Sequence, residues 1–133
     1  MRNRRYIFLL FFIIHSVWMS AGIDFLVLSK GNFRMVVSDG ELSPIKLAVE
    51  TLQRDFKSVM GFCPPIVSTS TDGEKELIEL IIINESIVDS SMNKSELRPL
   101  DGFESHRLYA ETSSRRIYLT GKDMRGTIYA IYT

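Results

Sequence analysis

The chain has 133 residues, room for one domain, and its 16 basic and 16 acidic residues cancel. Nothing in it forms a basic stripe, which argues against nucleic acid as a partner. The apolar fraction of 45% includes a targeting segment, so the mature core is smaller than that figure implies.

Arg2, Arg4 and Arg5 make a basic start, and residues 6–18 are nearly all apolar. Ser20, Ala21 and Gly22 then supply the small residues of a cleavage site, so residues 1–22 are expected to be a signal peptide cut after Ala21 or Gly22. An apolar run of about 13 residues containing His15 is too short to cross a bilayer, which takes roughly 20. The expected protein is therefore exported, to a periplasm or the extracellular space, with no membrane span after cleavage. Three arginines and no acid leave with the leader, so residues 23–133 carry a formal charge of −3.

Residues 25–28 and 34–37 read as two short strands, separated by the turn-forming Lys30-Gly31-Asn32. Ser43 is placed to cap a helix whose first position is Pro44, where a missing N–H costs nothing. Ile45, Ala48, Val49, Leu52, Phe56, Val59 and Met60 recur at threes and fours and form one apolar face. Glu50 and Arg54 are spaced to pair on the opposite side. Gly61 ends the helix, and Pro64-Pro65 forbids its continuation. Cys63 is the only cysteine, which excludes an intrachain disulfide. Between Phe62 and Pro64 it is expected to be a buried, inert thiol.

Ile66-Val67 reads as a brief strand, and residues 77–83, rich in isoleucine, as a strand buried on both faces. Residues 84–95 are polar with scattered apolar positions, a loose helix over the sheet edge. They contain two glycosylation sequons, at Asn84 and Asn93, meaningful only in a eukaryotic host. Residues 105–111 and 116–120 form a hairpin turned by Ser113-Ser114. The hairpin feeds a terminal helix with Asp123 as N-cap and Ile128, Ile131 and Tyr132 on its apolar face. The predicted class is α/β or α+β: a small mixed sheet packed by helices. That last helix has no stop signal, and the chain is expected to continue in a longer protein.

Catalytic patterns are scarce. His106 is the one histidine after residue 22, and no Gly-x-Ser-x-Gly elbow occurs. One histidine and one cysteine cannot complete a zinc set, so no metal or other cofactor is expected. Asp39 and Glu41 flank Gly40 in a loop, where turn and solvation roles are the default, and no carboxylate is assigned to catalysis. Lys122, Asp123 and Arg125, at the mouth of a strand-to-helix turn, are the candidate substrate-binding residues. Helix amides beside such charges can hold an anion such as a uronate. The simpler alternative is that Asp123 caps the helix while the two cations stay solvated or pair locally.

Two segments carry a resemblance: residues 48–56 (AVETLQRDF) with Val59-Met60-Gly61, and residues 121–132 (GKDMRGTIYAIY). Their order and separation resemble the N-terminal domain of glycoside hydrolase family 115, the xylan α-1,2-glucuronidases. Lys122 and Met124 depart from that family's pattern, which has serine and a basic residue there. The resemblance implies that residues 23–133 form an accessory domain in front of a (β/α)₈ barrel. That barrel, absent from this chain, would carry the catalytic carboxylates and be the domain's partner. The parent enzyme would remove (4-O-methyl)glucuronic acid from xylan or glucuronoxylan, and this chain alone would be inactive. Two alternatives stay open: the leading domain of another glycosidase, of the family 67 or hexosaminidase type, or a free-standing secreted binding module.

Overall fold

In the computed structural model, which describes residues 26–70, 77–87 and 98–133, five strands and two helices follow one another. They are β1 (Phe33–Val36), α1 (Ser43–Met60), β2 (Ile66–Val67), β3 (Ile78–Asn84), β4 (His106–Glu111), β5 (Arg116–Gly121) and α2 (Met124–Tyr132). The strands form one mixed sheet in the order β2-β1-β3-β5-β4. The first four of these are parallel, and β4 closes the far edge antiparallel to β5. This is the small α/β class that the alternation of patterns predicts. The leader and the Asn93 sequon lie outside the described residues.

β3 sits at the centre because it can bury both of its sides. Six of its seven residues are buried, as the isoleucine run requires of a strand inside a parallel sheet. Both helices cover one face. There Met35, Val37, Leu80, Ile82 and Leu119 from the sheet meet Ile45, Ala48 and Val49 of α1 and Ala130 and Ile131 of α2. On the other face Val36, Ile81 and Tyr118 form a second buried cluster.

Several local expectations change. Leu26 to Ser29 is irregular rather than a strand, and Phe25 lies outside the described residues. Asn32 organises this stretch instead, accepting from the Ser29 N–H at 2.7 Å and donating to the Val27 carbonyl at 2.8 Å. Ser43 is not the cap: Leu42 takes that position in extended conformation, with no side-chain cap bond. The Leu42 N–H turns back to Glu41 Oε1 at 3.0 Å. Gly61 does close the helix, at φ 64 with its N–H on the Lys57 carbonyl. Arg54 donates to Thr51 at 3.0 Å rather than pairing with Glu50.

The apolar stripe of α1 outruns its cover. Val59, in the last turn of the helix, is 85% exposed. Nearer the core, Phe56 and Phe62 close on the buried Phe33, ring centroids 4.9 and 5.6 Å away. In α2 the covered face is Gly126, Thr127, Ala130 and Ile131, while Tyr132 faces solvent. Small residues let this short helix lie close to β5, and larger ones would hold it off. Residues 84–87 end β3 in a turn; the helix expected over 84–95 falls otherwise on residues outside the description.

Cys63 is exposed, not buried, since the chain leaves α1 at Gly61 and runs along the surface before β2. Native protein should therefore react with an aromatic disulfide reagent at the rate of an open thiol. A labelling rate that rises only on adding denaturant would contradict this placement.

Candidate functional site

The strand-to-helix corner gathers all three predicted site residues. β5 ends at Gly121, where a Cβ would lie 1.9 Å from the Thr127 backbone nitrogen, and a Cβ on Gly126 would lie 2.4 Å from the Ser105 carbonyl oxygen. Only glycine fits either position, so the spacing of the two follows from backbone meeting backbone. Asp123 joins the pieces. Its Oδ1 accepts the Gly126 N–H and its Oδ2 the Glu104 N–H, each at 2.9 Å. These backbone bonds, first Gly126 and then Glu104, hold its carboxyl below the usual range.

The neighbouring charges have partners too. Arg125 Nη1 donates to Glu104 Oε1 at 2.7 Å, which raises the guanidinium's affinity for its proton. Lys122 Nζ reaches Glu85 Oε2 at 3.5 Å. Glu104 itself adopts φ 59, a left-handed geometry that aims its N–H at Asp123. Lys122, Asp123 and Arg125 thus come together, but each already has a partner within the chain. The corner ties the end of β3, the start of β4 and α2 into one unit.

In doubly wound sheets ligands sit beyond the carboxyl ends of the strands, where the strand order reverses. Here the reversal lies between β1 and β3, and two buried polar residues fill it. Asn84 Nδ2 donates to Glu41 Oε1 at 3.2 Å, with Asn84 2% and Glu41 9% exposed. Asn84 Oδ1 accepts in turn from the Ser86 N–H and hydroxyl at 3.2 and 2.7 Å. The Asn84 amide is therefore enclosed in the fold, and its sequon offers no acceptor on the folded protein.

A groove among the described residues lies one strand over. It measures about 510 Å³ and runs between the first half of α1 and the ends of β1 and β2. Val37, Val49 and Val67 give it apolar walls, and Asp39, Lys46, Glu50, Ser38, Ser68 and Thr69 supply polar groups. Lys46 Nζ is held on the Asp39 carbonyl at 2.6 Å. Among the described residues no cluster of histidine, cysteine and acid could hold a metal ion. The groove can offer hydrogen bonds to a small polar molecule.

His106 lies on the exposed edge strand, its ring 6.1 Å from that of Tyr129. Glu79 is the residue that composition alone leaves unnoticed. It is 4% exposed, and it binds Arg34 at 2.6 Å and Arg116 at 3.2 Å across three strands. An acid within Ile78-Glu79-Leu80 was the available signal, because a buried carboxylate needs cations. No helix of the described residues is long and apolar enough to cross a membrane. No protein-family model matches this sequence, and no curated protein matches it either.

Proposed function

We propose that this chain is the accessory α/β domain of an exported glycoside hydrolase of the family 115 type, positioned ahead of a catalytic barrel that it does not contain. The observation that carries the reading is the Gly121–Gly126 corner. Two of the residues on which the resemblance rests, Gly121 and Gly126, are positions where the backbone does not tolerate a side chain. Such a motif is a constraint of one fold corner, which a family of related domains would share. The small mixed sheet with two helices on one face agrees with an accessory domain of this kind.

On this reading the parent enzyme hydrolyses the α-1,2 bond between glucuronic acid and xylose with carboxylates of the barrel. The role of residues 23–133 is structural. Purified residues 23–133 should release no glucuronic acid from glucuronoxylan, and transcripts reaching past codon 133 should encode alternating strands and helices of a barrel. Measurable release by the isolated domain, or downstream sequence of another kind, would overturn the reading.

A self-contained secreted module is the second reading. What favours it is the cover over α2, whose Thr127, Ala130 and Ile131 are buried by this chain's own sheet and α1. Its discriminating result is a transcript with a stop codon directly after Thr133.

A further inference from the structure

Among the described residues, little protects the edge strand β4. It is six residues long, pairs with β5 without a bulge, and contains no proline. Leu108 is 57% and Tyr109 39% exposed. Long, regular, partly apolar edges are templates for another strand, and proteins normally interrupt or cover them.

The ladder sets which groups this edge offers. Lys122 donates its N–H to the Ser105 carbonyl at 2.9 Å. Bonded and open pairs alternate in an antiparallel ladder. Arg107, Tyr109 and Glu111 therefore turn their backbone groups toward β5, while His106, Leu108 and Ala110 turn theirs outward. Side chains alternate across the sheet as well, placing Arg107, Tyr109 and Glu111 in one row. The Tyr109 ring stacks on Tyr118 at 6.2 Å.

We propose that β4 is a homodimer interface, pairing antiparallel with β4 of a second copy about a two-fold axis through Tyr109. Charge selects this partner and this register. With Tyr109 opposite itself, Arg107 of each copy faces Glu111 of the other, giving two symmetric ion pairs. The same register sets the outward backbone groups of Leu108 against those of Ala110 in the second copy, so the bonds match. Centring on Arg107 or Glu111 puts like charges opposite one another, which destabilises a sheet. Centring on Leu108 or Ala110 leaves both charges without opposites.

Arg107 uses one nitrogen on the Arg98 carbonyl at 2.8 Å and keeps its other N–H groups for the second copy. Glu111 receives the Ser114 hydroxyl and keeps an oxygen. On the helix side Tyr129, 45% exposed, stands over the same edge beside His106. The two sheets become one ten-stranded sheet, with Tyr118 and Tyr109 of both copies in a row of four rings. A self-complementary patch of this kind closes at two copies and does not propagate.

Sedimentation of the purified full chain at micromolar concentration should give twice the mass of one chain. Arg107→Glu sets four acids against one another and should weaken the dimer at least tenfold, with the circular dichroism of the folded chain retained. Should that variant unfold, Leu108→Pro takes its place, since it removes only an outward N–H and should also give monomers. In a Cys63→Ser background, Tyr109→Cys should form a disulfide-linked dimer on oxidation, the two Cα atoms being about 4.5 Å apart. Arg107→Cys should not, because its two copies stand about 14 Å apart along the strands. A wild-type monomer, a dimer that survives both edge variants, or cross-linking no better at 109 than at 107 would each overturn the proposal.

Discussion

Gly121→Ala is expected to destabilise the fold severely and to lower its unfolding temperature by well over ten degrees. The added Cβ would meet the Thr127 nitrogen at 1.9 Å and the Gly126 carbonyl carbon and Thr127 Cα at 2.3 Å. All three are backbone atoms of the first turn of α2, so no side chain can swing aside to make room. Relief requires moving the helix off β5, which opens the core where Ala130 and Ile131 meet Leu119. Overpacking in a core with some give costs about 1–3 kcal/mol. Lifting a helix adds the loss of buried surface, so a total above about 4 kcal/mol is expected. A domain of this size holds only about 5–15 kcal/mol in all. Thermal unfolding followed by circular dichroism would show it. A variant melting within a few degrees of the parent would mean that the corner is looser than drawn.

Glu79→Leu is the second large effect. The substitution removes the carboxylate that Arg34 and Arg116 share, where the Arg34 side chain is 11% and that of Glu79 6% exposed. Removing one member of a buried ion pair costs about 3–5 kcal/mol, because the remaining charge keeps its desolvation penalty. The Ser70 hydroxyl, which donates to the same carboxylate, loses its acceptor too. Glu79→Gln keeps the shape and some of the hydrogen bonding, so it should cost less. Urea midpoints for the two variants give the comparison, and equal stability of Glu79→Leu and the parent would show that these charges are solvated rather than buried.

Much of the architecture was legible because its signals are local and periodic. The isoleucines of β3, the three-four spacing of α1 and the Asp123 cap each express one element's own geometry. The Gly61 stop reads the same way. What escaped depends on neighbours. Val59 continues the α1 stripe in sequence, yet it stands 85% exposed past the last residues that meet the core. Cys63 has apolar neighbours in the chain and open solvent in space. Asn84 and Glu41 look like surface polar residues until parallel pairing brings the ends of β1 and β3 together. The charges at the corner were placed together by spacing alone; that Glu85 and Glu104 answer them depends on two loops from elsewhere in the chain.

The strand order also governs how such a chain comes off the ribosome. β3 is flanked by β1, made early, and by β5, which begins only at Arg116. Until that last segment emerges, one side of the most apolar strand has nothing to hydrogen-bond, and α2 has no bed to lie on. Native structure in residues 26–133 is therefore gained late and nearly at once, after β5 and α2 have been synthesised.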